Sequence, residues 1–191
     1  MKKIFTLTAL LVLSLGSLLQ AQDFYHGIGA TYNLSRYNLA YTAPSINYNG
    51  TEDLGIPGLT YKATLNLADN ISVSAYPSIG LSLNPVDSRF GLSVPVNAEF
   101  FVGDIEDNFF QVGAGFAYHY LTASSAFGGS AGGPVIGPEA AVSGQFFYQN
   151  QPLFLRAAVT YGVNSTKIPD AVITTDTKYL LSLSLIYPFG L

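Results

Sequence analysis

Past residue 22 the hydropathy of this chain alternates with a period of two, and that period commits it to β-structure rather than helix. Between residues 90 and 102, Phe90, Leu92, Val94, Val96, Ala98, Phe100 and Val102 are apolar, while Gly91, Ser93, Pro95, Asn97, Glu99 and Phe101 stand between them. Residues 110–120 and 179–189 keep the same rhythm. The same reading places five more strands at about 24–34, 58–67, 71–83, 138–148 and 153–164, which makes eight. The stretches 35–57, 122–137 and 165–177 read as long loops. Those at 68–70, 103–108 and 149–152 read as short turns, with Asp, Asn and Gly in the turn positions. Segment 84–88 is short where the alternation of loop lengths calls for a long one.

The two faces of these strands differ in an unusual way. One is apolar and carries no charge in any of the eight segments. The other is mostly Gly, Ser, Thr, Ala and Asn, which suits the narrow interior of an eight-stranded barrel better than a solvated exterior. Charged residues are only 10% of the chain, against about 25% in soluble domains. A Lys or Arg on the lipid face at the bilayer midplane would cost about 2–4 kcal/mol. The expected fold is therefore all-β, an eight-stranded antiparallel transmembrane β-barrel. Aromatic residues cluster toward the strand ends, as interfacial belts require. Phe24, Phe100, Phe110, Phe146, Tyr148, Tyr187 and Phe189 fall on the side of the short turns. Tyr32, Tyr61, Tyr118, Tyr120, Tyr161 and Tyr179 fall on the other.

The N-terminus supplies a compartment. Lys2 and Lys3 precede an apolar stretch from Ile4 to Leu19, and Ala21 ends it before Gln22-Asp23. Residues 1–21 read as a secretory signal peptide, leaving 22–191 as the barrel domain. A net charge of −4 argues against nucleic acid as a partner. There is no Cys, so neither a thiolate metal site nor a cysteine nucleophile is available. No metal cluster, cofactor loop or catalytic set is legible; Gly128–Gly133 lacks the Lys-Ser/Thr of a phosphate loop.

The last strand carries a family resemblance. Leu183, Leu185, Tyr187, Phe189 and Leu191 alternate up to the C-terminus, interrupted at Pro188 and Gly190. This resembles the small outer-membrane β-barrels of Gram-negative bacteria, in the style of the OmpA membrane domain and OmpX. Leu191 stands where that family usually has a final aromatic residue. The Leu18-Leu19-Gln20-Ala21-Gln22 signal end resembles Bacteroidota versions. The resemblance implies an outer-membrane location among lipopolysaccharide. It also implies recognition of the C-terminal strand by the barrel assembly machinery.

By strand phase, Lys62, Glu99, His119, Glu139, Arg156 and Lys178 point into the lumen. Charges there must be paired or hydrated, so they read as a structural polar plug, with Glu99 facing Arg156 near the turn-side end. The expected function is a structural, adhesive or surface-interaction role through the long loops, with an external partner, and not that of a diffusion porin. Two alternatives stay open. One is a lipid A-modifying enzyme of the deacylase kind, for which His119, Ser124 or Ser125, and Glu139 lie near one rim. The other is a secreted soluble barrel that binds a small apolar ligand. The inward phase of His119 argues against catalysis, and the expected answer is no enzyme.

Overall fold

The computed structural model describes residues 24–43, 46–83, 87–102, 109–125, 130–163 and 173–189. Residues 1–21, the expected signal peptide, lie outside them. The elements are β1 (Phe24–Ala43), β2 (Ile46–Ala68), β3 (Ile71–Ala75), β4 (Ser78–Leu83), β5 (Asp87–Val102), β6 (Phe110–Ser125), β7 (Ser130–Tyr148), β8 (Gln151–Tyr161) and β9 (Ile173–Phe189). Every pairing is antiparallel. β1 pairs with both β2 and β9, so the sheet closes on itself.

Nine elements make eight barrel strands. β2 pairs Ala63 with Ala75 and Thr60 with Ser78. β5 pairs Val96 with Ala75 and Ser93 with Ser78. The register thus runs unbroken through Tyr76 and Pro77, and β3 and β4 are two halves of one strand. The interruption has a local cause. Tyr61 N–H still donates to the Pro77 carbonyl at 2.9 Å, and Tyr76 N–H to the Pro95 carbonyl at 3.0 Å. The reciprocal bonds of each pair need an N–H that Pro77 and Pro95 do not have.

Cross-strand partners followed once round the wall run Phe24, Leu65, Val73, Ala98, Ala114, Ala140, Val159, Leu181. Leu181 then pairs with Leu34 on β1. The path has climbed from position 24 to position 34, and a stagger of that size in eight strands corresponds to a tilt of roughly 40°. It rises roughly 25 Å, the height of the apolar band of a transmembrane barrel.

The wall alternates as its sequence does. Leu59, Phe116 and Leu183 are 62%, 64% and 54% exposed on the outside, while the residues between outward positions are mostly buried. The expected belts form, with one correction. Tyr61 sits opposite Ile28, well below the loop end. Its hydroxyl meets His26 Nδ1 on the outer surface, so two polar groups that face lipid satisfy each other.

The expected long loops are largely strand. β1 continues to Ala43 and β2 begins at Ile46, so most of 35–57 is a paired hairpin. β6 and β7 extend into 122–137, and β9 begins inside 165–177. The loop reading missed this because Asn, Gly and Thr are weak strand formers whose pairing comes from a neighbour rather than from burial. At the turn side, β7 and β8 are joined by Gln149-Asn150, with φ of 50° and 61°. Two consecutive left-handed residues make the type I′ turn that matches strand twist.

The β1–β9 seam, where the first strand meets the last, is held on both faces. Inside, Thr31 bonds Ser184 at 2.9 Å, and Ser182 donates to Asn33 Oδ1 at 2.7 Å. Outside, the His26 ring stacks on Phe189 at 5.8 Å and meets the edge of Phe24 at 4.2 Å. Phe189→Ala is expected to lower the unfolding free energy by about 1 kcal/mol. Urea titration in lipid vesicles, read by the gel-mobility difference between folded and unfolded barrel, measures it.

Candidate functional site: the lumen

The inward faces of the strands build three layers. At the turn side Phe101, Phe109, Phe154 and Ile186 form an apolar layer, which Tyr76 joins from above. At the loop side Ile56, Leu121 and Leu180 form a second. Between them lies a polar core. Its buried charges among the described residues are Lys62 and Arg156 against Glu99 and Glu139, a balanced set.

Sequence phase puts Lys62, Glu99, His119, Glu139 and Arg156 on the inner face, and all five are buried in the lumen, Arg156 at 1% exposure and His119 at 0%. The side chain of Lys178 lies outside the described residues. Glu99 and Arg156 both turn into the lumen, and the ion pair of Arg156 is with Glu139. These two occupy neighbouring strands, but Arg156 is opposite Ser143 and Glu139 opposite Thr160. The long arginine spans the offset, which lifts its head away from the turn-side end. Glu139 also accepts from Asn97 Nδ2 at 2.8 Å and from Thr160 Oγ1 at 2.9 Å. Both of its oxygens are thereby engaged by donors, the condition for keeping a carboxylate buried.

Glu99 is held separately. Ser74 donates to Oε2 and Tyr76 to Oε1, each at 2.6 Å. Ser74 in turn bonds Thr64 at 2.8 Å. Tyr76 links the two carboxylate centres, since the Arg156 guanidinium lies 4.1 Å from its ring centroid. Tyr76 is the residue that sequence reading missed. Its signal was present: it shares the inward phase of Ser72, Ser74 and Ser78, the one large aromatic in a row of serines. Close backbone approach also shapes this region. A Cβ on Gly115 would run into the Val96 carbonyl and the Asn97 side chain, the same side chain that reaches Glu139.

His119 stands at the top of the core. Nδ1 lies 2.8 Å from Ser93 Oγ and Nε2 lies 2.9 Å from Thr160 Oγ1. Thr160 spends its proton on Glu139, so it accepts from Nε2–H, which leaves Nδ1 to accept from Ser93. Both nitrogens are thus committed within the wall, beneath the loop-side apolar layer. His119 reaches Glu139 only through Thr160. The side chains of Ser124 and Ser125 lie outside the described residues.

A closed antiparallel wall with an apolar exterior and a filled polar interior is the construction of a small transmembrane β-barrel. Neither a family model nor a curated protein sequence matches this chain. Among solved structures, Neisserial surface protein A is similar at a TM-score of 0.55 and 10% identity, over 88% of this chain and 97% of that one. This likeness shows the fold of the eight-stranded outer-membrane barrels. The N-terminal barrel domain of Pseudomonas aeruginosa OprF matches at a TM-score of 0.45 and 14% identity, over 85% and 99% of the two chains. Ail of Yersinia pestis, in complex with the heparin analogue sucrose octasulfate, matches at 0.44 and 15%, over 87% and 99%.

Removing Arg156 alone leaves Glu139 buried without its cation. Arg156→Met is expected to destabilise the barrel by about 3–5 kcal/mol. The double variant Arg156→Met/Glu139→Gln is expected to recover a large part of that loss. Urea midpoints of the two variants in the same vesicles check both expectations.

Proposed function

We propose that this chain is an outer-membrane barrel that presents a β-sheet for interaction at the cell surface, with its lumen serving as a structural plug. The reading rests on how far the strands outrun the membrane. β1 has 20 residues and β2 has 23, whereas a tilted transmembrane strand needs about 9–11. β9 follows β1 up to Ile173, opposite Tyr41. A three-stranded sheet, β2–β1–β9, therefore projects beyond the barrel on the loop side.

Among the described residues, neither edge of this projection is joined by a further strand. β2 meets β4 only from Gly58 onward, which leaves 46–57 open. β8 meets β9 only from Tyr179 onward, which leaves 173–178 open. An exposed row of N–H and C=O groups is a template for an added strand. Parity identifies the donors. Tyr61 N–H points away from β1 toward Pro77, so the odd residues of β2 present their N–H groups at the open edge. Pro57 lacks its N–H on that side, and so removes no bond to β1. The external partner favoured here is an extended peptide segment that docks by strand addition. The signal peptide at 1–21, recognition of the C-terminal strand by the assembly machinery and a lipopolysaccharide setting belong to the same proposal. The filled lumen supports a plug rather than a pore, because eight strands leave room for side chains alone.

Two measurements test this. The protein is expected in the detergent-soluble outer-membrane fraction, and release into the soluble periplasm overturns the membrane reading. Asn49→Pro/Thr51→Pro deletes two edge donors while keeping every β1–β2 bond. It is expected to abolish adhesion of intact expressing cells to host-cell monolayers without altering the folded gel mobility. Undiminished adhesion by this variant would show that the open edge is not the contact surface.

A further inference from the structure

The turn-side mouth of the lumen holds a cavity with about 30 Å³ of room for water, lined by Lys62, Asn66, Gln145, Phe101, Phe109 and Phe154. Lys62 is 7% exposed. Its ammonium stands 3.4 Å above the centroid of the Phe154 ring. It has no hydrogen bond or ion pair with any described residue. The carboxylates of the core are already committed, Glu99 to Ser74 and Tyr76, and Glu139 to Arg156, Asn97 and Thr160. An aromatic face attracts the positive charge but does not satisfy three N–H donors.

A second orphan faces the same cavity. Asn66 Oδ1 is a buried acceptor without a partner, four residues along β2 on the same face as Lys62. A monatomic anion could accept from Lys62 but would leave the Asn66 oxygen bare and would upset the charge balance of the core. Water can accept from one and donate to the other. The space exceeds the roughly 10–15 Å³ that one water needs.

We propose that the turn-side mouth is a hydration site, in which water bridges the Lys62 ammonium to Asn66 Oδ1. Lys62 is then the charge of the core that the turn-side solvent reaches. His119, under the loop-side layer of Ile56, Leu121 and Leu180, is dry. Among the described residues, the barrel interior is wetted from the turn side.

The chain has no cysteine, so a single introduced thiol reports on its own position. Lys62→Cys in the folded barrel is expected to react readily with methyl methanethiosulfonate. His119→Cys is expected to react about 100-fold more slowly, since it must wait for local opening. Gel mobility verifies that each variant folds. Should either fail to fold, water–protein NOE spectra of the unaltered barrel replace the labelling, with direct water contacts expected at Lys62 and Asn66 and none at His119. Equal reactivity of the two thiols, or no water contact at Lys62, overturns the proposal. So does a Lys62 resonance that titrates with chloride at constant ionic strength, which would assign the site to an anion.

Discussion

Backbone amides that face hydrocarbon have no water to fall back on, and each unpaired group there costs several kcal/mol. Closing β1 onto β9 removes the two edges that an open eight-stranded sheet would leave in the membrane. The other features follow from that closure. The stagger it requires sets the tilt of the strands. The narrow bore it produces forces small residues onto the inner face, and backbone approach at Gly115 leaves no space for even a methyl group. The seam itself carries paired side chains inside and stacked rings outside.

Even the flaw in the ladder obeys the same constraint. Pro77 and Pro95 remove two donors from the wall, yet the register on either side is preserved. Tyr76 lies at that lesion and turns a fully buried ring into the lumen. There it donates to Glu99 and supports the Arg156 guanidinium. A local defect in backbone pairing thus coincides with the residue that joins the two carboxylate centres.

The interior and the projecting sheet follow opposite logics. Inside, among the described residues, two buried cations face two buried carboxylates between apolar layers at either end. On the loop side, β1, β2 and β9 continue beyond the point where β4 and β8 stop pairing with them. The polar material of a charge-poor chain is therefore divided between a buried core and the strand extensions on the loop side.

The alternation of Phe90 to Val102 and its counterparts was enough to specify strands, their number, which face meets lipid and which residues turn inward. With a period of two, a residue's face follows from its parity alone. Parity says nothing about height or partner. That Arg156 reaches Glu139 rather than Glu99 depends on the stagger between β7 and β8 and on the length of the arginine side chain. The linking role of Tyr76 depends on three strands meeting at one level. The projecting hairpin was hidden for a related reason, since Asn-, Gly- and Thr-rich segments read as loop until a neighbouring strand supplies their hydrogen bonds. The sequence by itself determined the barrel and its two solvents, because both are written in local periodicity. Only the tertiary structure decided the ion pair, the seam and the open edges, because each depends on registers between strands distant in the chain.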